Sequence, residues 1–305
     1  MVVVSANSGI REINWRYYKN FSGGTRQNPS NNILEFNINT PSGEYFGGNP
    51  SNSTGYRLPY LEKARVYAPQ AISFNSLFSN TPALRSIDLH SGVMPNLTQV
   101  KYLFAGCGID YLLDLDTSNV TFFNGMFQSF RSVKELPSGK YDMSNVHPTG
   151  LVSFANNSNF EKIHIDIPSN VTRLSSTFTN SKYLKRVTGN WDTSNVNSFN
   201  NFASYCYSLR TTPEINFVSA TDMYRAFMNC AKIKNEFFIK ASGCTNFESA
   251  FSNCRSIEKV TIADMSNYKE NTNARFHSVF SSCVSLKKVE VINPRIGPTT
   301  YSQGA

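Results

Sequence analysis

The residues in this chain best suited to chemistry are four histidines, six cysteines and 21 acidic side chains. His90, His147, His164 and His277 lie far apart and show no metal-ligand spacing. His164-Ile-Asp166 is the one pair with the form of a base and its orienter. On a strand, residues two apart project to the same face, so the expectation is a solvated polar pair rather than a catalytic one. Zinc binding needs close ligand pairs such as C-x-x-C, and the sequence has none. G-x-S-x-G, P-loop and dinucleotide fingerprints are also missing, and Gly23-Gly24 and Gly47-Gly48 read as turn glycines. No two carboxylates stand out as the pair a glycoside hydrolase requires. The expectation is a non-enzyme with no catalytic residue, metal or cofactor.

The cysteines carry a different message. Cys107, Cys206, Cys230, Cys254 and Cys283 share one phase of an internal repeat, each three residues after its apolar reference position. In the clearest copy Phe251 is followed by Cys254, Ile257, Val260 and Ile262; in another, Phe280 is followed by Cys283, Leu286, Val289 and Val291. The reference positions are 78, 104, 127, 154, 178, 203, 227, 251 and 280, all Phe except Ala203, spaced 23 to 29 residues apart. Thr81, Phe130, Asn157 and Ser181 fill the cysteine slot elsewhere, which suggests a buried, reduced, small hydrophobe. A repeat of this length means a solenoid, each unit burying its apolar edge against its neighbours.

Each unit reads in two parts. Apolar residues four apart, as in Phe74 with Phe78 or Met223 with Phe227, predict a helical segment of about two turns. Ser118-Asn119 and Ser194-Asn195 would cap two of them. The second part alternates, as in Leu286-Lys-Lys-Val-Glu-Val, and predicts a short strand stacked in parallel on its neighbours. The fold class expected is therefore an α/β repeat solenoid, leucine-rich-repeat-like, with about nine to ten coils over residues 56–292. Residues 1–55, with strands expected at Val2–Ser5, Ile10–Tyr18 and Ile33–Ile38, would form a small β-rich cap or docking segment. Residues 293–305 would be a tail.

D-T-S-N-V at Asp116–Val120 and Asp192–Val196, with D-M-S-N at Asp142–Asn145 and Asp264–Asn267, is followed by paired aromatic positions and then C-x-S-L. This pattern resembles the BspA-like leucine-rich repeats of bacterial surface proteins and the related repeats of mycoplasma lipoproteins, over roughly residues 60–292. The resemblance implies a role in adhesion or protein recognition. The strand strip would supply the surface, its outward side chains including Lys63, Arg65, Lys162, His164, Arg186, Thr188, Lys259, Thr261, Lys288 and Glu290. Phe276, Phe280, Val289 and Val291, in a unit with no successor, would form an assembly end.

The net charge is +8. The longest basic cluster, Lys182–Arg186, is interrupted by Tyr183 and Leu184, and the expectation is against nucleic acid. No apolar run approaches a membrane span, and no signal peptide is evident at residue 1. The first expectation is therefore a tailed-phage virion component (tail, baseplate or capsid-associated), part of an oligomer. It would contact other structural proteins or a host surface protein or glycan. The alternative is a bacterial or protist cell-surface adhesin, and the third reading a glycan-cleaving tailspike.

Overall fold

The computed structural model describes residues 61–89, 94–240, 243–264 and 275–291, with the backbone of three earlier strands. Twelve strands follow in order: β1 (Glu12–Arg16), β2 (Glu35–Asn39), β3 (Tyr45–Phe46), β4 (Lys63–Tyr67), β5 (Ser73–Phe74) and β6 (Ser86–Leu89). Then come β7 (Glu135–Leu136), β8 (Lys162–His164), β9 (Arg186–Thr188), β10 (Phe237–Lys240), β11 (Lys259–Asp264) and β12 (Lys288–Val291). Every pairing among them is parallel, in sheets ordered β1-β2-β4-β6, β3-β5, β7-β8-β9 and β10-β11-β12. The parallel column crosses the expected boundary at residue 56, since Glu12 pairs with Glu35 and Glu35 with Lys63. Val2–Ser5 and the tail 293–305 lie outside the described residues.

The predicted helical segments are not helices: the described residues contain none. The four-residue spacing of the apolar side chains arises instead from two consecutive turns. In each coil the residues two before and two after the reference position take positive φ, as Ser76 (58°) and Asn80 (57°) do around Phe78. Left-handed backbone costs an L-residue about 1–2 kcal/mol and is most accessible to Asn, Asp and Gly. The recurring Asn and Ser at these places are the sequence trace of it. Helical i→i+4 bonding is impossible across such residues.

The gain lies in where the backbone amides then point. Phe74, Ser76, Phe78 and Asn80 donate N–H to Gln99, Lys101, Leu103 and Ala105 on the next coil, at 2.7–3.1 Å. The amides between them close local turns, Leu77 onto Phe74 and Ser79 onto Ser76. Alternate residues thus tie coil to coil and turn to turn, and few polar backbone groups are left unpaired in the interior.

This bonding phase corrects one reference position. Ala155, not Phe154, donates to the next coil (Thr177, 2.8 Å) and lies between the left-handed Ser153 and Asn157. The cysteine slot of that coil therefore belongs to buried Ser158 rather than Asn157. Where Ala155 and Ala203 occupy the reference place, Phe154 and Phe202 one residue earlier fill the space, and all four are fully buried. The aromatic ladder accordingly runs Phe78–Phe104 (ring centroids 6.1 Å apart), Phe104–Phe127 (5.7 Å) and Phe127–Phe154 (5.4 Å). It resumes as Phe178–Phe202, Phe202–Phe227, Phe227–Phe251 and Phe251–Phe280 at 5.3–5.8 Å.

The cysteine slot is more than a small apolar hole. The thiols of Cys206, Cys230, Cys254 and Cys283 donate to the carbonyls of Phe178, Ala203, Phe227 and Phe251, one coil back, at 3.0–3.1 Å. Ser181 does the same to Ala155 at 2.7 Å. All six cysteines are free, and burial pushes the Cys206 thiol up to about 12.

D-T-S-N-V is turn chemistry. The Asp192 carboxylate accepts from the Ser194 amide and hydroxyl, and Thr193 accepts the Asn216 amide of the next coil. Asn195 donates its side-chain amide to Ser169 of the preceding coil, and Val196 is buried. Asn119, Asn145 and Asn170 clamp to Pro95, Ser118 and Val146 in the same way. Asn170, part of a glycosylation-like sequon, is therefore a structural clamp.

Candidate functional site

The strand column does not stack as regularly as the turns. Between β6 and β7 the described residues form no strand, and the Tyr111 hydroxyl takes the place of a backbone partner by accepting the Ile87 amide at 2.7 Å. Tyr141 donates to the Leu113 carbonyl (2.9 Å) and Trp191 to the Ile165 carbonyl (2.8 Å). Between β9 and β10, Asn235 bonds Thr212 through its side chain. Half-buried aromatic rings with one polar end suit such repairs.

On this column, alternation places Ile87, Ile163, Val187 and Val260 inside. Lys63, Arg65, Lys162, Arg186, Thr188 and Lys288 are exposed, while His164, Lys259 and Glu290 are half-buried. Thr261 departs from the expectation. It is buried, with Phe238 and Glu290 in register on either side.

The exposed side chains meet across coils. Arg65 pairs with Asp88 (3.5 Å), Lys162 with Glu135 (3.1 Å), Lys259 with Glu236 (3.7 Å), and Lys185 with Glu161. Lys287 pairs with Glu258 at 2.8 Å, while Lys288 and Glu290 pair within β12 at 3.1 Å. Lys185 and Lys287 hold Glu161 and Glu258 below the usual carboxylate range. Such pairs are solvated and each is worth little, but together they fix the long side chains in rows.

Beyond the ends of β8 and β9 the surface is concave. A cleft of about 650 Å³ is lined by Tyr141, Asp142, His164, Asp166, Trp191 and Asp192 among others, with no lysine or arginine. His164 Nε2 lies 3.7 Å from Asp166 Oδ1, and its Nδ1 is 3.0 Å from the Thr188 hydroxyl. Asp166 accepts the Asn190 amide (2.7 Å), and Asp142 that of Ser144 (2.8 Å). Hydrogen bonds from Ser194 hold Asp192 below its ordinary pKa, the opposite of what a general acid needs. The sequence singled out His164 and Asp166, but Trp191 and Tyr141 could be found only once the coils were stacked. Among the described residues, no group of three or more His, Cys, Asp or Glu is arranged to hold a metal ion.

At the expected assembly end, Phe276 packs on Phe247 (4.9 Å) and Phe280 on Phe251, and both are half-buried. Val289 is 41 % exposed. The side chain of Val291 lies outside the described residues, although its backbone pairs with Ile262.

No curated protein matches the chain. Two solved structures align along it. A leucine rich cell surface protein from Faecalibacterium prausnitzii A2-165 is 14 % identical with a TM-score of 0.28, covering 96 % of this chain and 86 % of that one. A leucine-rich repeat protein from Eubacterium ventriosum ATCC 27560 is 16 % identical with a TM-score of 0.32, covering 97 % and 92 %. The family described as "Mycoplasma protein of unknown function, DUF285" matches residues 72–163 and 149–263, the stretch over which the turns, clamps and aromatic ladder repeat. The chain belongs to that family.

Proposed function

We propose that this chain is a non-enzymatic binding solenoid displayed at a cell surface, where its strand face recognises a protein or a glycan. The observation that carries this reading is the row of exposed charged side chains on β4, β8, β9 and β12, held on a continuous hydrogen-bonded frame. Extended faces of stacked repeats are suited to such binding. Of the two settings expected from the sequence, the cell surface is carried forward because the D-T-S-N-V turns resemble surface repeats. The virion setting rested on how the chain begins and ends.

The test is to screen the immobilised protein against protein and glycan arrays, beside a variant combining Arg65→Glu, Lys162→Glu and Arg186→Glu. The variant should keep the parent melting temperature and lose the captured partner. Equal capture by both proteins would overturn the strand face as the contact. Release of new reducing ends from an arrayed glycan would overturn the non-enzymatic reading.

A further inference from the structure

In the middle coils of this solenoid the two flanks of the strand column differ in charge. The flank beyond the strands' C-terminal ends carries the aspartates of the cleft. The flank before their N-terminal ends is basic over three successive coils. There the backbone ladder sets Lys185, Arg210 and Lys234 directly in line, Arg210 donating to the Lys185 carbonyl (2.9 Å) and Lys234 to that of Arg210 (3.0 Å). All three side chains are exposed. Lys185 is paired with Glu161, whereas Arg210 and Lys234 form no salt bridge among the described residues. Glu258 on the following coil also faces Lys234, but its ion pair is with Lys287.

Beside this line stand two of the most exposed aromatic side chains among the described residues, Tyr183 (54 %) and Tyr207 (42 %). The Lys134 ammonium lies 5.6 Å from the centre of the Tyr183 ring, and Tyr205 packs edge-on to Tyr207 at 6.1 Å. Both rings present a face to solvent within two or three residues of Lys185 and Arg210.

We infer that this flank binds an acidic polysaccharide with one carboxylate per sugar, laid along the solenoid axis. Coils stacked like strands repeat at about 4.8 Å, close to the length of one pyranose in an extended glycan. Successive cations would then meet successive carboxylates, and the tyrosine rings would lie against sugar C–H faces. A nucleic acid strand offers anions and stacking too, but single strands are held in basic grooves with successive aromatic platforms, and here two rings stand beside three cations. The inference deepens the binding reading above by naming a partner class and a second face.

The experiment measures binding of the full chain to polygalacturonate, to fully methyl-esterified polygalacturonate and to single-stranded RNA, at low and physiological salt. Polygalacturonate should bind, weaken as salt rises, and lose at least tenfold in affinity with Arg210→Glu plus Lys234→Glu. Tyr207→Ala should weaken binding without changing the salt dependence. Equal binding of the esterified polymer, tighter binding of RNA, or an unaffected double variant with a parent-like melt would each overturn the inference. If that variant loses polygalacturonate yet keeps a partner captured through Arg65, Lys162 and Arg186, the two faces are independent. If the array partner is lost with the strand-face variant while polygalacturonate never binds, the flank inference alone fails.

Discussion

The turn column and the strand column of this solenoid are built from the same repeats yet behave differently. In the turns, each coil from Phe74 to Val279 is tied to its neighbour by alternate backbone amides, and Phe154 and Phe202 fill the space where alanine holds the reference place. In the strands, pairing breaks between β6 and β7 and again between β9 and β10, and side chains such as Tyr111 and Asn235 take over. The regular column holds the molecule together. The irregular one is where coils differ in charge and shape.

The sharpest way to break this comparison is to remove a ring from the ladder. Phe127 is fully buried and contacts the rings of Phe104, Phe130, Phe154 and Phe160. Phe127→Ala should cost about 3–5 kcal/mol in denaturant unfolding. A loss under about 1 kcal/mol would show that the turn column does not bear the stability assigned to it.

Next in size is the backbone of the turns. Gly125 has φ of +59°, and a Cβ there would stand 2.2 Å from the Tyr102 ring. Gly125→Ala should destabilise by about 1–3 kcal/mol, whereas Ser249→Gly, at the equivalent place without such a ring, should be neutral or mildly stabilising. Equal losses at both sites would contradict the left-handed geometry.

Thiol chemistry isolates the turn column from the strands. Burial raises the pKa of Cys206, Cys230 and Cys254, and the thiolate is the reactive form. Iodoacetamide should leave these three untouched in the native protein and modify all six cysteines after unfolding without reductant. Strand-face charge variants should not alter that protection.

The smallest effects belong to the strand face. Lys162→Ala should cost less than about 1 kcal/mol, because both Lys162 and its partner Glu135 are more than half exposed. Asp116 and Asp192, lowered by Ser118 and Ser194, and Glu161 and Glu258, lowered by lysines, give a weak acid dependence. A carboxyl with a depressed folded pKa contributes above its unfolded pKa, about 4. That contribution disappears as the pH falls through the lower folded value. Melting temperature should therefore be flat near neutrality and decline slightly below about pH 4.

Much of the architecture was legible because Phe, Cys and the strand valines recur at a fixed spacing. What was misread shares one cause. A four-residue apolar step fits a helix and a pair of turns equally well, and only the Asn and Ser at the left-handed places favour turns. The same ambiguity put Phe154 one residue out of phase, since a bulky ring at either adjacent place satisfies the pattern. Exposure of Lys63, Arg65 and Arg186 followed from alternation, while burial of Thr261 depends on the neighbours in register across β10 and β12. The cleft was not legible, because Tyr141, Asp166 and Trp191 come from three coils and meet only after stacking.

Most of the amides that join the turns of successive coils point one way. Alternate residues donate from an earlier coil to a later one, from Phe74 onto Gln99 through to Phe251 onto Val279, outnumbering those such as Thr121 and Thr221 that donate back at the entry to each turn. Their dipoles therefore add along the axis, as they do in an α-helix, although no helix is present among the described residues. The described turn column thus carries a net dipole, its positive end toward Ser278, Phe280 and Ser282 and its negative end toward the coil of Phe74. In an electric field, or near a charged surface, it should orient end-on by this axis as well as side-on by its basic flank.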